Sequence, residues 1–102
     1  MNNKPTIVHT YTFYSDPGHA WLQVPLDEIE RLAVGKKISN YSYRNAYYAF
    51  LEEDCDASVF LDALTAAGEG YDFKEVHHDE DSVIREYHRW GPSCLKTEPR
   101  QR

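Results

Sequence analysis

Residues 46–64, AYYAFLEEDCDASVFLDAL, change their apolar rhythm part-way along. AYYAFLE carries apolar groups on both sides of an extended chain, which suits a central strand buried on both faces. Beyond it the spacing turns helical. Val59, Phe60, Ala63, Leu64 and Ala67 follow i, i+1, i+4, i+5 and i+8 and share one helical face. Asp56 stands where an N-cap belongs, and Gly68 stops the helix. A buried strand that feeds an amphipathic helix points to a sheet with helices layered on it.

Towards the N-terminus, IVHTYTFY (7–14) is β-branched and aromatic and reads as a strand, with Ile7, His9, Tyr11 and Phe13 on one face. SDPGH follows. Pro17 presets φ at the first central turn position and Gly18 permits positive φ at the second, which is type II turn chemistry. AWLQV (20–24) returns as the second strand of an antiparallel hairpin. Pro25 opens a helix, because its missing N–H would be unpaired there anyway. Leu26, Ile29 and Leu32 or Ala33 form its apolar stripe, and Gly35 is its expected stop. ISNYSYRN (38–45) is a polar connection bearing tyrosines.

Towards the C-terminus, YDFKEV (71–76) reads as a fourth strand and HHDED (77–81) as a charged loop. SVIREYHRW (82–90) has the pattern of a short last helix, capped by Asp81 or Ser82, before Gly91 and Pro92. The expected architecture is α+β: a two-layer ββαβαβ domain. It has two amphipathic helices on one face of a four-stranded, mostly antiparallel sheet, plus a short C-terminal helix. Residues 1–4 form a loose N-terminus, 5–91 a single domain, and 92–102 a mobile basic tail.

The 102 residues suit one domain with a modest core. Net charge is −6, and the basic tail leaves the preceding body more acidic still. Such a body is repelled by nucleic-acid phosphates and attracted to basic protein surfaces. Cys55 and Cys94 make neither a disulfide framework nor a CxxC site, so two reduced thiols in a cytoplasmic protein are expected. The sequence shows neither a secretory signal pattern nor an apolar run of the roughly 20 residues that a membrane helix needs.

FYSDPGHAWLQVP, KISNYSY and YAFLEEDCDASVFLDAL resemble a family of small uncharacterised proteins and domains carried by bacterial phages, plasmids and integrative elements. The resemblance runs over roughly residues 9 to 90. It implies a cytosolic bacterial setting and a mobile-element origin, and it brings no catalytic residues with it.

Four groups of side chains could carry chemistry. Glu52, Glu53, Asp54 and Asp56 crowd around Cys55. They could collect a hard cation or simply complement the positive end of the following helix. The same carboxylates disfavour a Cys55 thiolate, and no base for a nucleophile is recognisable nearby, so a packed, inert thiol is expected. His77 and His78 adjoin Asp79, Glu80 and Asp81, but adjacent side chains on an extended segment diverge and make a poor chelate. Tyr41 and Tyr43 flank a polar loop near Arg44, a composition favoured at contact surfaces. Phosphate loops, GxSxG elbows and HExxH helices do not occur.

These readings favour a non-enzymatic acidic module. It would occupy the basic surface of a host defence or nucleic-acid-binding protein, with carboxylates standing in for phosphates. Glu52, Glu53, Asp54, Asp56, Asp79, Glu80 and Asp81 are the expected mimics, and Tyr41, Tyr43 and Arg44 the flanking contacts. No cofactor, metal or direct nucleic-acid partner is expected. Two alternatives stay open: a divalent-metal enzyme acting on phosphodiesters, and a self-associating protein paired through the edge of its first hairpin.

Overall fold

The structure, a computed structural model, describes residues 7–91. The expected loose N-terminus, the basic tail and Cys94 lie outside those residues. Strands β1 (Val8–Ser15) and β2 (Ala20–Pro25) form the expected antiparallel hairpin, with Phe13 opposite Leu22. A short helix α1 (Leu26–Arg31) follows, then β3 (Tyr43–Arg44), β4 (Tyr48–Glu52), helix α2 (Ala57–Ala66), β5 (Gly70–His77) and β6 (His88–Arg89). The strands make one six-stranded mixed sheet in the order β5-β1-β2-β4-β3-β6. The fold is α+β, with more strands than expected and with one parallel seam, β1 against β5.

Alternation along β2 and β4 divides the molecule into two apolar layers. Leu22, Val24, Ala49 and Leu51 face both helices and pack with Ile29, Phe60 and Leu64. Leu22, Leu51, Phe60 and Leu64 are fully buried, and each contributes about 1.5–3 kcal/mol relative to exposure. Trp21 and Phe50 point the other way. They meet Tyr43 and Ile84 in a second cluster, with Tyr14 and Tyr87 packed against it. The sheet is therefore covered on both faces, and the segment 82–87 supplies the second cover through Ile84 and Tyr87.

Several local expectations are corrected. In place of a last helix, residues 83–86 form a 3₁₀ turn, followed by β6. Ser82 does cap that turn, its Oγ accepting from Ile84 N–H at 3.1 Å. Isolated helices this short are marginal, and Trp90 is drawn instead into the helix-side core, its indole N–H donating to the Gly35 carbonyl at 3.0 Å. Tyr43 and Arg44, expected in a connection, pair with Phe50 and Ala49. Helix α1 ends before Gly35: Ala33 takes the left-handed conformation, φ 57°, and Val34 N–H reaches back to Ile29 O at 3.3 Å. Gly18 is not among the positive-φ residues, so the hairpin turn is not type II. The Asp16 carboxylate organises it by accepting from the N–H groups of Gly18 and His19, each at 3.0 Å. Finally, the first hairpin has no free edge, because β5 covers β1 and β4 covers β2.

Candidate functional site

The acidic turn between β4 and α2 is built around two inward-facing carboxylates. Glu52 Oε1 accepts from the backbone N–H groups of Asp54 and Cys55 at 3.0 and 2.9 Å. The side chain of Asp56 makes no cap bond to α2. It accepts instead from Ser39 N–H at 3.0 Å, Ser39 Oγ–H at 2.7 Å and the Ser42 hydroxyl. Ser42 Oγ in turn accepts from Glu52 N–H at 2.8 Å. This closed network clamps the tyrosine-bearing loop to the acidic turn. Both carboxylates are buried, so neither is presented outward as a phosphate mimic. Burial is possible because donors satisfy them.

The clamp gives one wall of a cleft of about 470 Å³ on the sheet face opposite the helices. Trp21 and Tyr43 floor it, and Tyr41, 60 % exposed, stands at its rim. Glu52, Asp54 and Cys55 line the acidic side, with His19 Nδ1 4.0 Å from Glu52 Oε2. Arg85 and Arg89 line the basic side, their guanidinium carbons 5.5 Å from the Trp21 ring centroid and 5.1 Å from that of Tyr43.

Arg85 is fixed from behind by Asp16. Its Nε donates to Oδ2 at 2.7 Å and its Nη2 to Oδ1 at 2.8 Å. The Asp16 side chain is fully buried and also accepts from Ser82 N–H at 2.9 Å. Arg85 holds the Asp16 carboxyl well below the usual carboxylate range, and the backbone donors add to the effect. Arg89 donates to the Asn40 carbonyl at 3.0 Å. The Cys55 thiol is pushed up, first by desolvation against the turn and then by Glu52, Asp56 and Asp54. Cys55 is exposed rather than packed, but its environment still disfavours a thiolate nucleophile.

The remaining expected contacts are divided between surfaces. Glu53 and Asp54 are exposed on the acidic turn, and Asp79, Glu80 and Asp81 on the loop after β5. His77 Nδ1 lies 2.8 Å from Ser15 Oγ, and its Nε2 is 3.4 Å from Asp79. Glu80 and Asp81 border a second depression of about 480 Å³, floored by Phe50 and Ile84. Asp81 Oδ1 also lies 3.9 Å from Arg85 Nε. Asp54 thus lines the same cleft as Arg85, and Asp81 approaches that arginine from its flank. Tyr43 is buried in that cleft's floor, and its neighbour Arg44 points through to the helix side, 5.7 Å from the Trp90 centroid. Successive strand residues face opposite ways, which separates the two.

Asp16, His19, Trp21, Arg85 and Arg89 all belong to this site or its support, and the sequence reading assigned none of them a contact role. The one local signal was an aspartate ahead of Pro-Gly, the signature of an Asx turn. Among the described residues, no group of three or more His, Cys, Asp or Glu side chains converges as a metal site. No helix among them is long and apolar enough to cross a membrane. No protein-family model, curated protein or solved structure matches this chain.

Proposed function

We propose that this protein is a non-enzymatic binding module that docks on a basic surface of another protein, using the rim of the Trp21–Tyr43 cleft and the adjoining acidic loop. The observation that carries the reading is that both acidic runs border the surface on which Arg85 stands. Asp54 lines the cleft with Arg85, and Asp81 lies 3.9 Å from Arg85 Nε. Glu53, Asp54, Asp79, Glu80 and Asp81 are the outward carboxylates, and Tyr41 is the exposed aromatic anchor beside them. Glu52 and Asp56 shape the surface from within. Arg85 has its charge matched by Asp16, so it spaces the carboxylates without reversing the sign of the rim.

Residues 7–91 carry 16 acidic and seven basic side chains, an excess that steers the body toward cationic partners and speeds encounter. The resemblance to proteins of mobile elements makes a host defence or nucleic-acid-binding protein, met in the bacterial cytoplasm, the partner class of choice. The test is affinity capture from bacterial lysate at low and high salt. It compares the native chain with Glu53→Lys/Asp54→Lys and Asp79→Lys/Asp81→Lys variants. A specific partner should be retained at low salt, fall away as salt screens the charges, and be lost with either variant. Capture that resists salt, or that survives both charge reversals, would reject the proposal.

A further inference from the structure

Among the described residues, the outer edge of β5 is long, open and self-complementary. Gly70 N–H donates to Ile7 O at 2.8 Å and His78 N–H to Ser15 O at 2.9 Å. In a parallel pair, bonding to one neighbour alternates along the strand. The even-numbered residues 70–78 therefore turn their backbone groups toward β1. Tyr71, Phe73 and Glu75 turn theirs outward, where no strand among the described residues lies beside β5. Phe73 is 40 % exposed and packs edge-on against Phe13, with ring centroids 5.4 Å apart. This edge carries an aspartate and a lysine two residues apart, Asp72 and Lys74, on the face opposite Phe73.

We propose that two copies of this chain pair antiparallel along β5, about a two-fold axis through Phe73, and join their sheets into one. In that register Tyr71, Phe73 and Glu75 meet Glu75, Phe73 and Tyr71 of the second copy as the hydrogen-bonded pairs. Asp72 and Lys74 fall opposite Lys74 and Asp72 of the second copy as the closer, non-hydrogen-bonded pairs. The charges select this alignment. A slip by one step of the outward-facing pattern sets Asp72 against Asp72 or Lys74 against Lys74, and opposed like charges are unfavourable. A lone lysine on an edge strand discourages pairing; here Asp72 turns it into a specificity device. A two-fold axis makes each such pair occur twice.

The test is a charge swap read by analytical ultracentrifugation over a concentration series, with circular dichroism confirming that each variant is folded. The native chain should dimerise. Lys74→Asp, which faces Asp72 with aspartate, and Asp72→Lys, which faces Lys74 with lysine, should each weaken association at least about tenfold. The Asp72→Lys/Lys74→Asp double variant should dimerise like the native chain. An equimolar mixture of the two single variants should form the heterodimer, because each then meets the opposite charge. A native chain that stays monomeric at the highest concentration reached would overturn the proposal. Single variants that dimerise undiminished, or a mixture that fails to associate, would do so equally.

Discussion

Asp16 gathers five donors on one buried carboxylate: the N–H groups of Gly18, His19 and Ser82, and Arg85 through both Nε and Nη2. Replacing it with alanine orphans three backbone donors and leaves the Arg85 charge without its partner. The expected cost is about 3–5 kcal/mol, read as a shift in urea midpoint. Gly18 belongs to the same assembly. A Cβ there would lie 2.9 Å from Arg85 Nη2, so a side chain at this position would push the guanidinium end away from Asp16 rather than strain φ. Little of this was legible in the sequence. Asp16 and Arg85 are 69 residues apart, and no periodicity links an acid in a turn to a base in an apparent helix. Glu52 and Asp56 were visible as a cluster, but their inward aim depends on Ser39 and Ser42, which belong to a loop with no apolar rhythm.

Among the elements, the hairpin, the central strand β4 and α2 could be read directly, because each spans enough residues for a period of two or 3.6 to show. The two-residue strands β3 and β6 could not. Their pairing is imposed by β4 and by the second apolar cluster rather than by local propensity. Helix α1 shows the opposite case, a strong pattern cut short. Its stripe of Leu26, Ile29 and Leu32 is as expected, yet Ala33 closes it in a left-handed conformation that costs an L-residue about 1–2 kcal/mol. Ala33→Gly should therefore stabilise the protein, by about 1 kcal/mol or less once the glycine's larger unfolded-state entropy is counted. Thermal melts compared with the native chain would register this as a raised Tm. An unchanged or lowered Tm would show that Ala33 is relaxed where it stands.

At the scale of the whole molecule, two carboxylates are expected to set the response to acid. Arg31 and then His9 draw Glu69 down from 4.5 to about 2, and Arg85 holds Asp16 below the usual range. Folded-state values depressed in this way contribute stability that is fully present above the unfolded values. That stability is lost as pH falls through the folded ones. The native chain should accordingly lose stability from about pH 4 downward. An Asp16→Asn/Glu69→Gln variant, less stable at neutral pH, should show a shallower decline over the same interval in urea melts taken across pH. Equal slopes would mean that the other carboxylates control the transition.

The parallel seam between β1 and β5 has a temporal consequence. β1 ends at Ser15, and its outer neighbour ends at His77. A ribosome makes the chain from its N-terminus, so the first hairpin and β4 emerge while the flank of β1 is still bare. That flank is sealed only after α2 has been made and β5 has followed it out of the exit tunnel. Until then, the strand that ends up inside the sheet is a growing polypeptide's exposed margin.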